Sequence, residues 1–167
     1  INLWNLTTKS WELSVQNKTP TWNLRSEGLA SINHLDGCLV PNSDLEADSE
    51  VNLVHDPWRP IPSIGGHLSD TAGEANRYQL DIRPDVAVFT SDIILKDLRL
   101  EGIPTLFLET NCDRECFDLF VALSIIPKAV ENTVTQLSTG VLRIANCDKG
   151  ITSAREIRLQ PILATFK

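Results

Sequence analysis

The chain consists of short apolar stretches separated by clusters of turn residues. In residues 21–25 and 51–54 apolar and polar residues alternate, as in strands that bury one face. Residues 117–126 are almost continuously apolar, which predicts a central strand covered on both sides, although a buried helix has the same pattern. No window of ten or more residues keeps the helical period between two caps. The pattern therefore predicts an all-β fold with little helix.

The predicted strands are separated by turn signals such as Asp36-Gly37, Thr139-Gly140 and Lys149-Gly150. Strands at this spacing are typical of an antiparallel β-sandwich. The predicted strands are residues 21–25, 37–40, 51–54, 85–90, 98–101, 105–111, 117–126, 133–138, 141–144 and 156–165.

Two long segments contain no predicted strand. Residues 41–50 are polar and acidic, and residues 56–76 are rich in proline and glycine. Loops of this length in a compact domain are usually functional or docked on another structure. The prolines hold the backbone extended, while the glycines permit positive φ angles and close approach. These residues in the second loop are Pro57, Pro60, Pro62, Gly65, Gly66 and Gly73.

The length of 167 residues suits one domain with its own hydrophobic core. The formal net charge is −7 and no Lys/Arg cluster occurs, so we expect no nucleic-acid partner. No apolar run approaches the roughly 18 residues of a membrane span, so we expect a soluble protein with no membrane partner. The chain starts at Ile1 and contains no Met, which predicts a fragment cut from a longer protein.

The four cysteines, in a chain without a secretory signal, predict reduced thiols and a cytoplasmic location. Cys112 and Cys116 are separated by three residues instead of the two typical of zinc sites, and no second Cys/His pair lies nearby. The acidic residues of loop 41–50 lack the spacing of a calcium loop, and solvation explains them. We therefore expect no metal and no cofactor.

A serine hydrolase of the α/β type needs a Gly-x-Ser-x-Gly turn, and no serine of this chain has the flanking glycines. His55 lies beside Asp56, but neighbouring strand residues point to opposite faces and do not form a catalytic dyad. We therefore predict no catalytic residue. The serines and histidines considered were Ser26, Ser31, Ser63, Ser69, Ser138, His34, His55 and His67.

Tryptophans can act as stacking platforms for sugars, although in a β-sandwich most of them pack in the core or at its rim. Trp58 is the exception, because it lies within the long proline-rich loop. The other tryptophans are Trp4, Trp11 and Trp22.

Several segments occur in a distinctive order. Residues 55–66 read His-Asp-Pro-Trp-Arg-Pro-Ile-Pro-Ser-Ile-Gly-Gly, residues 83–91 read Arg-Pro-Asp-Val-Ala-Val-Phe-Thr-Ser, and residues 137–143 read Leu-Ser-Thr-Gly-Val-Leu-Arg. Together with residues 22–28, 36–39, 97–102 and 116–123, they resemble segments of the C-terminal domain of X-Pro dipeptidyl-peptidase and cocaine-esterase-type hydrolases. The resemblance is collinear over roughly residues 20–166.

This resemblance implies a jelly-roll β-sandwich of the galactose-binding-like type, with residues 1–167 as a single C-terminal domain. In the family, an α/β-hydrolase domain supplies the Ser-Asp-His triad and the jelly-roll packs against it. The implied partner is thus the catalytic domain of the same parent chain, a serine peptidase or acyl esterase. The implied function is to pack on that domain and help wall its substrate pocket. Because the family's final strands begin at residues 164–167, we expect the fragment to lack them, together with the N-terminal hydrolase domain.

We predict that the proline-rich loop is the interface, with Trp58 and Arg59 as anchors, because these residue types dominate interface energetics. Three alternatives stay open: a carbohydrate-binding module, a homo-oligomerisation domain, and a loop in which Trp58 folds back over its own sandwich. The interface candidates are Asp56, Trp58, Arg59, Pro60, Pro62, Gly65, Gly66 and His67.

Overall fold

The computed structural model describes residues 2–5, 10–13, 20–41, 50–62, 64–65, 75–128 and 130–166. Within these residues nearly all regular structure is β, and the helix, α1 (Tyr78–Asp81), has four residues. The strands are β1 (Asn2–Asn5), β2 (Ser10–Leu13), β3 (Trp22–Arg25), β4 (Cys38–Pro41), β5 (Thr90–Ser91), β6 (Leu98–Gly102), β7 (Thr105–Thr110), β8 (Phe117–Ile125), β9 (Thr135–Ile144), β10 (Ser153–Arg158) and β11 (Ile162–Phe166).

The described residues divide into two compact units, each assembled from separate stretches of the chain. The first unit is formed from residues within Ile1–Ser14, Ile64–Ala75 and Leu98–Lys167. The second is formed from residues within Val15–Ser63 and Asn76–Asp97.

The first unit contains a four-stranded sheet in the order β2-β1-β11-β6. In this sheet β1 and β11 are parallel, with Asn5 opposite Leu163, while the other two pairings are antiparallel. Two further antiparallel pairs complete the unit, β7 with β10 and β8 with β9. The β8–β9 pair runs from Phe117 opposite Ile144 to Ile125 opposite Thr135.

The core of the first unit is formed mainly by β10, β11 and the short segment that joins them. Ile157 and Leu163 have the largest fully buried side chains of the described residues. Each such side chain contributes about 2 kcal/mol of hydrophobic stabilisation relative to an exposed one. The other buried apolar residues of the unit are Ile144, Leu159, Ile162 and Ala164.

The middle of β9 lies directly against the segment that follows β10. The Gln160 backbone N–H donates to the Thr139 carbonyl (2.9 Å), and the Ser138 hydroxyl donates to the Gln160 carbonyl (2.7 Å). A Cβ atom on Gly140 would lie 2.8 Å from the carbonyl oxygen of Arg158. Gly140 is therefore in a strand interior, where a second backbone approaches too closely for a side chain.

The second unit is built on the three-stranded sheet β3-β4-β5, in which β3–β4 is antiparallel and β4–β5 is parallel. Backbone hydrogen bonds run from Thr90 N–H to the Gly37 carbonyl (2.9 Å) and from Val88 N–H to the Ala30 carbonyl (3.0 Å). A Cβ on Gly37 would lie 1.9 Å from the Val88 carbonyl oxygen. Ala30 and Leu80 are the buried apolar residues of this unit in the described part of the chain.

The prediction of an all-β fold with antiparallel sheets and little helix is confirmed, and the sheets agree with a β-sandwich. Two of the pairings, β1–β11 and β4–β5, are parallel instead of antiparallel. The described strands form four separate hydrogen-bonded sheets.

Two strand predictions are wrong because apolar residues were taken to mark a buried face. Residues 51–54 are not a strand, and Leu53 and Val54 are exposed. Of residues 85–90, only Thr90 is in a strand, and β4 pairs with β5 over just two residues. The strands β1 and β2 were not predicted.

Three further predictions need correction. The two strands predicted at residues 133–138 and 141–144 are one strand, β9 (Thr135–Ile144), because Gly140 marks a close backbone contact instead of a turn. Residues 156–165 are split between β10 and β11, because Pro161 has no N–H for a strand ladder. The strand β8 is not covered on both sides, since Phe120 is 42% exposed.

Candidate domain interface

Residues 56–59, the Trp58 turn, form a tight turn in the second unit. The Trp58 backbone N–H donates to Asp56 Oδ1 (2.9 Å), and the Arg59 N–H donates to the Asp56 carbonyl (3.1 Å). An aspartate at the first position and a proline at the second favour such a turn, because the carboxylate caps the backbone and the ring fixes φ. The sequence Asp56-Pro57 thus specifies this turn locally.

Arg83 fastens the end of the Trp58 turn. Its Nη2 donates to the carbonyl oxygen of Arg59. The same guanidinium binds the Asp85 carboxylate with two hydrogen bonds, from Nε to Oδ1 (2.8 Å) and from Nη2 to Oδ2 (2.6 Å). The side chains of Arg83 and Asp85 are 15% and 5% exposed. The turn is therefore held by an ion pair that is largely shielded from water.

The Arg83–Asp85 pair perturbs the ionisation of both partners. The hydrogen bonds from Arg83 lower the pKa of Asp85 below its usual value. Burial of the carboxylate acts in the opposite direction and is the weaker effect. Electrostatic interaction with His55 adds a smaller lowering. The hydrogen bond from Asp85 raises the pKa of the Arg83 guanidinium. Both groups therefore remain charged at neutral pH, and the anchor of the turn stays intact.

The tip of the turn is exposed. The Trp58 side chain is 91% exposed, and Arg59, Pro60 and Pro62 are exposed as well. Leu53, Val54 and Ile61, on either side of the turn, are further exposed apolar side chains in the same unit. Trp58 is not folded back into a core, and the turn presents apolar surface of the kind that marks interaction sites.

The other end of the proline-rich loop lies in the first unit. Gly65 is buried and has a φ of 60°, as expected for a glycine that permits a left-handed conformation. The Gln136 side chain, which is 2% exposed, donates from Nε2 to the carbonyls of Ile64 and Gly65, both at 3.2 Å. Gly66 and His67 lie outside the described residues.

A sequence model of the X-Pro dipeptidyl-peptidase C-terminal non-catalytic domain matches residues 5–167. The chain belongs to this family. A comparison with curated proteins gave no match. The resemblance inferred from the ordered segments is thereby confirmed, including the segments that contain the Trp58 turn and Arg83.

An X-Pro dipeptidyl-peptidase C-terminal domain is non-catalytic by its family description, and three of the serines considered above have hydrogen-bond partners. Ser26 Oγ donates to the Asp36 carboxylate, which also accepts from two backbone N–H groups. Ser31 Oγ donates to the Asn52 carbonyl (3.4 Å), and Ser138 to Gln160. Ser63 and Ser69 lie outside the described residues.

The histidines and metal candidates of the domain form no cluster in the described residues. Among those residues no three His, Cys, Asp or Glu side chains gather in a metal-binding arrangement. His67 and most of the acidic loop, residues 42–49, lie outside them. In the same part of the chain, no helix has the length and apolar character that crossing a bilayer requires.

The structure adds three site residues that sequence reasoning missed: Arg83, Asp85 and Gln136. The only available signal for the first two was an arginine and an aspartate on either side of Pro84, inside a family segment. Gln136 carried no signal, because its partners lie more than seventy positions away in the chain. For a sugar platform, Trp22 is a weak second member, because it is only 36% exposed.

Proposed function

We propose that this domain docks on the α/β-hydrolase catalytic domain of the same parent chain and helps to wall its substrate pocket. The Trp58 turn is the contact, with Trp58 and Arg59 as anchors. The parent is a cytoplasmic serine hydrolase, of the dipeptidyl-peptidase or acyl-esterase type. The domain itself contributes shape and stability, and it needs no cofactor.

The observation that carries this proposal is the exposure of Trp58 on a turn whose backbone is fixed. A tryptophan that is 91% exposed gains a large apolar contact when a partner covers it. Because Asp56 and Arg83 hold the turn already, little conformational entropy is lost on docking. Trp and Arg are also the residue types that dominate interface energetics.

The neighbouring side chains support a contact surface instead of a single anchor. Leu53, Val54 and Ile61 are exposed on the same unit as Trp58. Adjacent exposed apolar residues are costly in water, and a partner surface that covers them removes the cost. The family description, which names the non-catalytic C-terminal domain of a peptidase, supports a catalytic domain of the same chain as the partner.

The test compares Trp58→Ala in the full-length parent and in the domain alone. In the parent we expect a loss of about 2 kcal/mol in the free energy of unfolding, together with lower activity. In the domain alone we expect a change within about 0.5 kcal/mol, because an exposed side chain makes few contacts there. Urea denaturation and hydrolysis of a proline dipeptide anilide and a nitrophenyl ester provide the measurements.

Leu35→Ala is the matched control, since Leu35 is also 91% exposed in the same unit but lies outside the proline-rich loop. It should leave both proteins unchanged. Equal losses for Trp58→Ala in the parent and in the domain alone would mean that Trp58 stabilises its own unit, and the docking proposal would then be wrong.

A further inference from the structure

Two loops of the first unit, one after β7 and one after β9, are fastened side by side. The Cys147 N–H donates to the Glu115 carbonyl (3.0 Å), and the Gly150 N–H donates to the Cys112 carbonyl (3.0 Å). Asn111 Nδ2 donates to the Gly150 carbonyl (3.1 Å). These bonds hold three cysteines, Cys112, Cys116 and Cys147, at one end of the β8–β9 pair.

The hydrogen bond from Cys147 limits its distance from Cys116. Glu115 immediately precedes Cys116, and a trans peptide keeps the Glu115 oxygen close to the Cys116 Cα. The two cysteine Cα atoms are therefore no more than about 7 Å apart, and bends at nitrogen and oxygen bring them closer. The Cys147 Sγ also lies 3.3 Å from the Glu115 oxygen. The Cys147 Sγ lies 3.2 Å from the Arg114 carbonyl oxygen as well. Disulfides join Cα atoms that are about 4.4–6.8 Å apart, so the two backbones are close enough for a bridge once the Cys147 side chain rotates away from these carbonyls.

Cys116 is better placed than Cys112 to react. Cys116 is exposed, while the Cys112 thiol is directed to the Asp113 carboxylate, with Sγ 3.9 Å from Oδ1. The thiolate is the reactive form of a cysteine, and an exposed side chain is open to a reagent in solution.

We propose that Cys116 is a site of thiol–disulfide exchange with low-molecular-weight disulfides and that Cys147 resolves it as an intramolecular disulfide. The Cys116 thiolate attacks one sulfur of glutathione disulfide, forms a mixed disulfide and releases one glutathione thiolate. The Cys147 thiol then loses its proton and attacks the Cys116 sulfur, which expels the second glutathione thiolate. The released thiolates take up the protons, so two protein thiols are oxidised and one glutathione disulfide is reduced.

Cys116 is open to the reagent because it is exposed, and an open depression lies beside Cys147. It has a volume of about 430 Å³ and is lined by Glu115, Asn146, Cys147, Asp148 and Lys149. The Lys149 ammonium lies 3.2 Å from the Glu115 carboxylate, so the rim carries both charges. A small anionic disulfide can therefore reach the loop without opening the core.

The test oxidises the purified protein with glutathione disulfide and maps the products by mass spectrometry after digestion. We expect the loss of two thiols per chain, a peptide that links Cys116 to Cys147, and a higher melting temperature that dithiothreitol reverses. Cys112→Ser is the matched control and should behave like the original protein. In Cys116→Ser the link should be absent, and in Cys147→Ser the mixed glutathione adduct on Cys116 should accumulate.

Two results would overturn the proposal. One is a link between any other cysteine pair or between two chains. The other is that all four thiols of the original protein remain free under conditions that oxidise a dithiol peptide. Circular dichroism of each serine variant before oxidation verifies the fold, and iodoacetamide labelling of the reduced protein gives a second readout, in which Cys116 should react faster than Cys112.

Discussion

The Arg83 guanidinium binds both oxygens of the Asp85 carboxylate, 2.8 Å from Nε to Oδ1 and 2.6 Å from Nη2 to Oδ2, while Nη2 also donates to the Arg59 carbonyl. One side chain thus joins two family segments that lie more than twenty residues apart in the sequence. The position of the exposed Trp58 depends on this pair, because Arg83 holds the carbonyl of Arg59, and the N–H of Arg59 closes the turn on which Trp58 lies.

The first prediction concerns the acid stability of the second unit. Because Arg83 lowers the pKa of Asp85 in the folded protein, Asp85 contributes stability above its unfolded pKa of about 3.9. That contribution is lost as the pH falls through the lower, folded-state pKa. Asp85→Asn should therefore reduce stability at pH 7 and flatten the loss of stability between about pH 5 and pH 2. Urea denaturation across this range measures both effects.

Asp118→Asn is the control for Asp85→Asn. Asp118 also accepts two hydrogen bonds from an arginine, Arg143, but this pair is exposed, with side chains 48% and 80% exposed. Exposed ion pairs add little to stability because water screens them. If Asp85→Asn and Asp118→Asn lose the same stability at neutral pH, shielding from water does not increase the contribution of the Arg83–Asp85 pair to the free energy of unfolding.

The second prediction concerns the close contact between β4 and the segment before β5. Gly37→Ala should destabilise the protein by about 3 kcal/mol, because the new Cβ would lie 1.9 Å from the Val88 carbonyl oxygen and the two backbones must separate. Gly150→Ala has open space around its new Cβ and a φ of +74°, so it should cost only about 1 kcal/mol of backbone strain. Thermal unfolding of both variants measures the two losses of stability. If Gly150→Ala destabilises the protein as much as Gly37→Ala, the explanation is contradicted.

The third prediction uses the buried Gln136. Gln136→Leu removes the hydrogen bonds to the Ile64 and Gly65 carbonyls and should cost about 1–3 kcal/mol. Gln136→Glu should cost more at pH 7, because a buried carboxylate faces two carbonyl oxygens. The pKa of the new glutamate should be higher in the folded protein than its unfolded value of about 4.3. The variant should therefore be most stable in acid and should lose stability as the pH rises through the raised pKa. A flat pH profile for Gln136→Glu would show that the side chain reaches water.

The fourth prediction is that the purified domain hydrolyses neither a proline dipeptide anilide nor a nitrophenyl ester. The hydroxyls of Ser26, Ser31 and Ser138 donate to a carboxylate or to backbone carbonyls, and the family is non-catalytic. Turnover that persists through purification, and that disappears when one serine of this chain is replaced, would contradict the prediction.

The sequence predicted strands well where a short run rich in apolar residues follows a turn signal, as in β7. In β7, exposed and partly buried residues alternate from Thr105 to Thr110, and the predicted bounds differ from the observed ones by one residue. The prediction failed where apolar residues face water, as at Val54, because period and composition do not report what covers a side chain. The proline-rich loop was located from its composition, but the turn at Asp56-Pro57 was not predicted, because the prolines were taken to hold the backbone extended.

Residues whose role depends on distant backbone could not be predicted from local sequence. Gly140 looked like a turn signal because glycine is common in turns, whereas the structure uses it to admit the Arg158 carbonyl. Gln136 and Arg83 each donate to carbonyls far away in the chain, and no residue type marks such an acceptor. The geometry of the Cys116 and Cys147 loops likewise depends on pairing between β8 and β9.

The parallel pairing of β1 with β11 has a consequence for synthesis on the ribosome. In the described sheet β2-β1-β11-β6, the β1–β2 pair is joined to β6 through β11, which is made about sixty residues after β6. The ribosome therefore releases β6 long before β11 exists, and both β6 and β1 wait with an unpaired edge. Unpaired edges of this kind are sites of aggregation, and contacts between segments distant in the sequence slow folding. A translation product that stalls before β11 should consequently be much more aggregation-prone than one that includes this strand.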